Sequence, residues 1–169
     1  DPSAATLTTR EQAAQAGAAT FSRGEGAWFH DGVLYFVTTG NARGGGLIWA
    51  YEPDLGVLTQ VYNRVDLFPE DETLNGVDNI TVSSGGDLLV AEDSDDMQIQ
   101  AITPSGNLVP LFKLLGHEVG IFRGEITGPV FDPSGSRLYF SSQRGIGDDY
   151  LAFGKPIGVT YEITGPFVK

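Results

Sequence analysis

Charged and amide side chains flank three predicted hairpins of this sequence, and their types are those that bind metal ions or phosphate. Arg23 and Glu25 open the first hairpin. The residues of this kind around the other two hairpins are Asp78, Asn79, Glu92, Asp93, Glu125, Gln143 and Arg144. Carboxylate and amide oxygens bind hard cations such as Ca²⁺, whereas a guanidinium pairs with anionic oxygens. The sequence therefore has the side chains for cation and anion binding, provided that the fold brings the hairpins together.

The three hairpins form a repeat that predicts the fold. Each is a strand, a polar turn with a glycine (Gly32, Gly86 or Gly135) and a second strand, and the glycines are 54 and 49 residues apart. A period near 50 residues that is built from hairpins is typical of a β-propeller, in which a blade has four strands in about 40–50 residues. We therefore predict an all-β chain made of propeller blades.

The spacing of further strand-like segments gives the expected boundaries. Residues 1–20 are alanine-rich and predict a lead-in with one short helix around residues 10–15. The blades are expected at about 21–65, 74–115 and 123–169, the third without its outermost strand. Since a closed propeller needs at least about four blades, we expect the chain to be part of a larger ring. Other segments or other copies would complete that ring, and the chain alone is expected to self-associate or to be marginally stable.

The geometry of a blade predicts where the charged residues lie. The innermost strand starts at one mouth of the central channel, and the second strand returns to the same mouth. Glu25, Asn79 and Gly128 each lie seven residues before the turn glycine of their hairpin, and Glu125 lies three residues earlier than that position. Carboxylates gathered at one mouth cannot all ionise without compensation, so Ca²⁺ or a mixed-metal cluster is the expected counter-charge. The alternative is that these acidic residues only cap turns or face solvent.

Composition excludes several classes of function. The chain has 22 acidic and 10 basic residues and a net charge of -12, which argues against binding to nucleic-acid phosphates. It has no cysteine, which excludes disulfides, thiolate zinc sites and a cysteine nucleophile within it. No apolar run approaches the about 18 residues of a transmembrane helix.

A series of short motifs occurs in one order along the chain. They are Arg-x-Glu at 23–25, Tyr-Phe-x-x-Thr at 35–39, Gly-x-Ile-Trp-x-Tyr-x-Pro at 46–53, Asp-Asn at 78–79, Glu-Asp at 92–93, Glu-x-x-Gly-x-x-Phe-x-Pro-x-Gly at 125–135, Gln143, and Gly-Pro-Phe at 165–167. In this order they resemble the PhoX-type alkaline phosphatases and their propeller relatives, from about residue 21 to residue 167. Val77 stands where that family has proline.

The resemblance implies a propeller of about six blades with an iron–calcium cluster in its channel. It implies phosphomonoester hydrolysis by an exported bacterial enzyme, periplasmic or secreted. On this interpretation the chain is the C-terminal half and is expected to be inactive alone, since the other half also supplies cluster ligands. The best-known members use a cysteine as an iron ligand, which would lie in that other half.

The resemblance also implies roles for individual residues. Arg23 and Glu25 would be catalytic, with Arg23 holding substrate phosphate and Glu25 binding metal. The further metal ligands would be Asp78, Asn79, Glu92 or Asp93, and Glu125. Asn79 would alternatively contact phosphate, and Arg144 is a second candidate for substrate binding.

Two other functions remain open at this point. One is a calcium-dependent lactonase-like propeller, which also uses an early Glu-Gly and channel Asn and Asp residues. The other is a non-catalytic propeller that binds calcium structurally or serves as an interaction surface. Arg23 and Arg144 at the same mouth favour an anionic phosphoryl substrate over a neutral lactone.

Overall fold

The computed structural model of the chain describes residues 7–40, 46–63, 74, 76–93, 97–117, 124–143 and 158–167. It contains one helix, α1 (Thr9–Gln15), and three antiparallel sheets. The first sheet is formed by β1 (Gly24–His30), β2 (Val33–Thr38), β3 (Leu47–Glu52) and β4 (Val57–Asn63). The second is formed by β5 (Val77–Val82), β6 (Leu88–Glu92), β7 (Gln98–Ile102) and β8 (Leu108–Lys113). The third is formed by β9 (Ile126–Phe131), β10 (Arg137–Ser142) and β11 (Val159–Thr164).

Strands that are consecutive in sequence are neighbours in each sheet, which is the up-and-down topology of a propeller blade. Two sheets have four strands, and the third has three in the described residues. The all-β prediction of propeller blades is thereby confirmed. The short lead-in helix is also present, and its start is explained by a capping box in which Thr8 and Glu11 bond to each other's backbone N–H groups.

The repeat in the sequence reflects a conformational requirement of the hairpin turns. Gly32, Gly86 and Gly135 have φ values of 83°, 88° and 71°, a region that side chains with a Cβ rarely adopt. In the second and third sheets the same turn is closed by a hydrogen bond from the glycine N–H to a carbonyl three residues earlier. These three glycines therefore set where the innermost strand of each sheet ends and the next begins.

The three sheets pack face to face through two hydrophobic clusters. One cluster lies between the first and second sheets and includes Val37, Ile48, Val77 and Val90. The other lies between the second and third sheets and includes Leu89, Ile99, Ile126, Leu138 and Phe140. Because it is covered on both faces, the second sheet is the most buried, and all five residues of β6 are buried.

The innermost strands β1, β5 and β9 lie side by side along the chain order. A Cβ built on Gly26 of β1 would lie 2.7 Å from the carbonyl oxygen of Asp78 in β5. On the other side of β5, the amide oxygen of Asn79 accepts a hydrogen bond of 3.3 Å from the N–H of Gly128 in β9. This close approach brings the starts of the three strands together at one end of the stack.

Candidate functional site

Each innermost strand is irregular near its start, where the predicted site residues lie. The pairing register with the second strand shifts between Gly24 and Ala27 in β1 and between Val77 and Asn79 in β5. In β9 it shifts where the strand pairs with Tyr139 to Ser141 of β10. A β-bulge of this kind re-aims side chains and increases local twist. Glu25, Asp78 and Asn79 consequently lie within their strands, not before them as the sequence predicted, because pairing with the second strand continues past the bulge.

Asp78 is the centre of a group of carboxylates that comes from all three sheets. Its side chain is in hydrogen-bond contact with Glu125, the residue before β9, and its charge interacts with those of Glu25 in β1 and Asp93 after β6. The Nδ2 group of Asn79 also donates a hydrogen bond of 2.9 Å to Asp78 Oδ2. One buried carboxylate therefore connects acidic side chains from the three blades.

The pKa of Asp78 is raised above its ordinary value by this environment. Burial is the largest cause, since the residue is only 9% exposed. The negative charges of Glu25 and Asp93 act in the same direction, whereas the hydrogen bonds with Glu125 and Asn79 favour the ionised form. An Asp that is costly to ionise is a site at which a nearby cation would be strongly favoured.

Backbone pairing holds Glu125 and Asp93 at this place, although Glu125 lies earlier than the repeat spacing would put it. The two residues form an isolated antiparallel bridge between the end of β6 and the start of β9. The N–H of Asp93 donates to Gly76 O at 2.7 Å, and the N–H of Gln143 donates to Glu125 O at 2.9 Å. The sequence spacing could not show this bridge, because it joins segments of different blades.

Arg23 and Glu25 lie at the exposed edge of the group. Arg23 Nη2 is 4.0 Å from Glu25 Oε1, and the Arg23 side chain is 67% exposed. Arg23 has a φ of 53°, which is uncommon for a residue with a side chain. Its carbonyl accepts a 3.0 Å hydrogen bond from the N–H of Thr39, whose hydroxyl lies 3.4 Å from Glu25 Oε1. The guanidinium is thus available to a ligand in solution.

The structure distinguishes Glu92 from Asp93, which the sequence left as alternatives. Glu92 is 1% exposed and accepts a hydrogen bond of 3.3 Å from Gln100 Nε2 in β7, the next strand outward. Asp93 instead contributes its charge to the surroundings of Asp78. Successive side chains of a strand point to opposite faces, so of these two residues Asp93 is the one that faces the carboxylate group.

His117 has a role that the sequence did not indicate. It is buried, and its ring bonds on both sides, through Nδ1 to Ser142 Oγ at 2.8 Å and through Nε2 to Tyr161 OH at 2.9 Å. This arrangement ties the segment after β8 to the third sheet. A Ser–His pair enclosed in this way is a structural contact and not an exposed nucleophile. Arg144 lies outside the described residues.

Similarity to known proteins identifies the family of this chain. The family described as "Alkaline phosphatase PhoX" matches residues 1–145, which is most of the chain. The chain belongs to the PhoX alkaline phosphatase family. No curated protein and no solved structure matches it.

The PhoX family match covers the whole first and second sheets and the first two strands of the third. It therefore includes every predicted site residue from Arg23 to Arg144. Among the described residues, no helix is long and apolar enough to cross a membrane.

The resemblance to the PhoX family implies calcium and iron, so the side chains near Asp78 must supply suitable ligand atoms. In the described part of the chain, no three His, Cys, Asp or Glu side chains are arranged to hold a metal ion. The side chains around Asp78 nevertheless carry oxygen donors, and burial together with the charges of Glu25 and Asp93 raises the pKa of Asp78. Oxygen donors of this type suit calcium. The fit is therefore one of chemistry and charge, since Asp78 and Glu125 share a hydrogen bond and the described carboxylates do not form a ligating arrangement.

The raised pKa predicts a pH dependence of stability for the metal-free PhoX-family chain. Because the pKa of Asp78 is higher in the folded state than in the unfolded state, the folded state binds more protons, and Asp78 adds to the free energy of unfolding at low pH. This stabilisation is lost as the pH rises from the unfolded-state pKa, near 3.8, through the folded-state pKa. We expect Asp78→Asn to raise the melting temperature by a few degrees at pH 7 in chelator and to have little effect at pH 3.5. Thermal melts across this range would test it, and an equal or larger stabilisation at pH 3.5 would contradict it.

Proposed function

We propose that this chain forms part of a metal-dependent phosphomonoesterase site. The observation that carries the proposal is the interaction of Asp78 with carboxylates from all three sheets, at the strand ends where Arg23 also lies. Asp78 is hydrogen bonded to Glu125 and interacts with Glu25 and Asp93 through charge. Membership of the PhoX family supports hydrolysis of phosphate esters as the reaction. The remaining blades of the propeller would come from other parts of the full-length protein.

The carboxylates would hold the cations of this site. Glu25, Asp78, Asp93 and Glu125 are the proposed calcium ligands because their charges act on one another around Asp78, and Glu92 is a weaker candidate because it bonds to Gln100. Iron rests on the family resemblance alone. When bound, such cations would polarise the phosphoryl oxygens of the substrate and stabilise the charge that develops on them.

Arg23 would bind the phosphate group of the substrate. Its exposed guanidinium lies beside Glu25, so an ester held near the carboxylate group would be within its reach. Planar guanidinium groups pair with two phosphate oxygens at once. Arg144, which follows the end of β10, is proposed as a second phosphate contact.

Asn79 has a different proposed part in the site. Its Nδ2 group donates to Asp78 and its Oδ1 accepts from Gly128 N–H. Both polar ends of the amide are thereby engaged, one with β9 and one with the central carboxylate. Asn79 is therefore proposed to orient Asp78, and binding calcium or phosphate directly would require the Gly128 bond to open.

Calcium is expected to stabilise the protein against heat, because it would neutralise the carboxylates around Asp78. At a free calcium concentration of about 100 times the dissociation constant, one site adds roughly 2.7 kcal/mol. This corresponds to a rise in melting temperature of about 5–11 °C for a domain of this size. Melts in chelator and in calcium would measure the shift, with Asp78→Asn as the variant in which it should shrink. An unchanged melting temperature in calcium would contradict the cation site.

The reaction itself is tested on the full-length protein. Metal analysis combined with hydrolysis of a chromogenic phosphate monoester should show bound calcium and turnover together. A lactone should not be hydrolysed. Lactone hydrolysis without phosphatase activity would instead support the lactonase-like alternative. As a PhoX-family protein it is proposed to act in the periplasm or outside a bacterial cell.

A further inference from the structure

Thr39 contacts both site residues of the first sheet. It follows β2 and ends the Tyr-Phe-x-x-Thr motif at 35–39, to which the proposed function gives no role. Its N–H donates a 3.0 Å hydrogen bond to the carbonyl oxygen of Arg23. Its hydroxyl donates a long hydrogen bond, 3.4 Å, to Oε1 of Glu25. One residue after the second strand therefore bonds to the proposed phosphate-binding residue and to a proposed cation ligand.

The backbone bond from Thr39 holds Arg23 in an uncommon conformation. Arg23 has a φ of 53°, in the left-handed region that costs free energy for a residue with a Cβ. Such a conformation persists only where the surrounding structure fixes it. Gly24 pairs with Thr38 in the β1–β2 register, so the bond between Thr39 and Arg23 extends the ladder by one residue pair. The direction in which the Arg23 side chain leaves the backbone therefore depends on Thr39.

The hydroxyl bond engages one of the two oxygens of the Glu25 carboxylate. Oε1 accepts from Thr39, and the same atom lies 4.0 Å from Arg23 Nη2. The other oxygen, Oε2, can therefore bind a cation while Thr39 holds the carboxylate in place. Hydrogen-bond partners of a metal-binding carboxylate fix its orientation, and their loss typically costs about 10- to 100-fold in metal affinity or activity. A partner of this kind on Glu25 would influence the site without touching the cation.

The residues on either side of Thr39 are themselves fixed. Thr38 is buried, and its hydroxyl accepts a 3.0 Å hydrogen bond from Trp49 Nε1 in β3. Gly40 lies so close to the segment before β1 that an added Cβ would be 2.1 Å from Ser22 Oγ. The chain is thus anchored to β3 before Thr39 and to the lead-in segment after it. A side chain on a fixed backbone can orient another one, because it does not move with it.

We propose that Thr39 is a positioning residue that fixes Arg23 and Glu25 relative to each other. The inference rests on the proposed function, which assigns phosphate to Arg23 and a cation to Glu25. Without the hydroxyl, the Glu25 carboxylate is free to turn toward the guanidinium 4.0 Å away and to form a closer ion pair with it. That pair would engage the N–H groups that phosphate needs and draw the carboxylate from the cation. Thr39 therefore keeps two opposite charges far enough apart for each to bind its own ligand.

Thr39→Val in the full-length protein tests the proposal, because valine lacks the hydroxyl but keeps the N–H that bonds to Arg23. At saturating calcium, kcat/KM for p-nitrophenyl phosphate should fall about three- to tenfold. The calcium concentration at the midpoint of thermal stabilisation should rise about tenfold, the lower end of the range because the bond is long. Thr39→Ser keeps the hydroxyl and should restore both quantities to within about twofold. Thr59→Val is the matched control, since Thr59 is exposed on the outermost strand β4, and it should change neither. Melting curves in chelator establish that the variants remain folded.

A double-mutant cycle separates positioning from a general loss of packing. In a protein that already carries Arg23→Ala, Thr39→Val should lower kcat/KM by less than about twofold, because the guanidinium that Thr39 positions is gone. An equal effect in both backgrounds would overturn the proposal, and so would unchanged kcat/KM and calcium midpoint in Thr39→Val. An unmodified protein with neither turnover nor stabilisation by calcium would contradict the proposed function and this inference together. The two failures are therefore distinguished by the behaviour of the unmodified protein.

Discussion

Replacing Arg23 with alanine in the full-length protein is expected to slow phosphomonoester hydrolysis by about 30- to 1000-fold, equivalent to roughly 2–4 kcal/mol of transition-state stabilisation. The metal content should stay nearly unchanged. A guanidinium contacts phosphate oxygens but does not bind a cation, and Arg23 lies at the exposed edge of the carboxylate group. Its loss should therefore remove a contact with the substrate and leave the cation ligands in place.

Glu25→Ala is the contrasting variant for this experiment. Glu25 contributes negative charge beside Asp78, so its removal should lower metal content and activity together. Arg10→Ala is a suitable control, because Arg10 lies in the exposed helix α1, and its activity should equal that of the unmodified protein. The measurements are turnover of a phosphate monoester and metal content of each variant.

Three outcomes of this experiment would count against the assignment. Full phosphatase activity in Arg23→Ala would show that Arg23 does not bind the substrate. Equal metal loss in Arg23→Ala and Glu25→Ala would contradict the assignment of phosphate binding to Arg23 and metal binding to Glu25. If the protein hydrolysed lactones and Arg23→Ala left that activity intact, the substrate would be a neutral ester, for which a guanidinium has little charge to bind.

Gly26→Ala is expected to destabilise the protein by at least about 3 kcal/mol, a size that belongs to steric overlap inside a packed structure. The new Cβ would lie 2.7 Å from Asp78 O and 2.8 Å from both Asn79 Cα and Ile80 N. These are backbone atoms of β5, which cannot rotate away as a flexible side chain would. The first and second sheets would have to separate locally, and the melting temperature should fall by about 6–12 °C.

Gly24→Ala provides the matched control, because it lies two residues earlier in the same strand. A Cβ at Gly24 would meet no atom within 4 Å, so the change should stay within about 0.5 kcal/mol. Thermal melts of the two variants in the same buffer give the comparison. Equal melting temperatures would show that β1 and β5 do not approach each other as closely as described here.

The fold could be predicted from the sequence because its signals are local. The three hairpin turns need a residue with positive φ, which glycine adopts readily. The short apolar segments on either side of each glycine are the strands of one blade. Short-range rules of this kind predicted the helix in the lead-in, the four-stranded sheets and the hairpin positions. The family resemblance was likewise carried by motifs in their order along the chain, and the family match confirmed it.

What the sequence by itself determined is therefore the blade and the supply of oxygen donors and arginines near its strand ends. The tertiary structure decided which of them meet. The bridge between Asp93 and Glu125, the contact of Glu125 with Asp78 and the bonding of Glu92 to Gln100 all depend on how neighbouring strands and sheets stack. Such contacts join residues far apart in sequence, so local spacing cannot specify them, whereas turn conformation is set within a few residues.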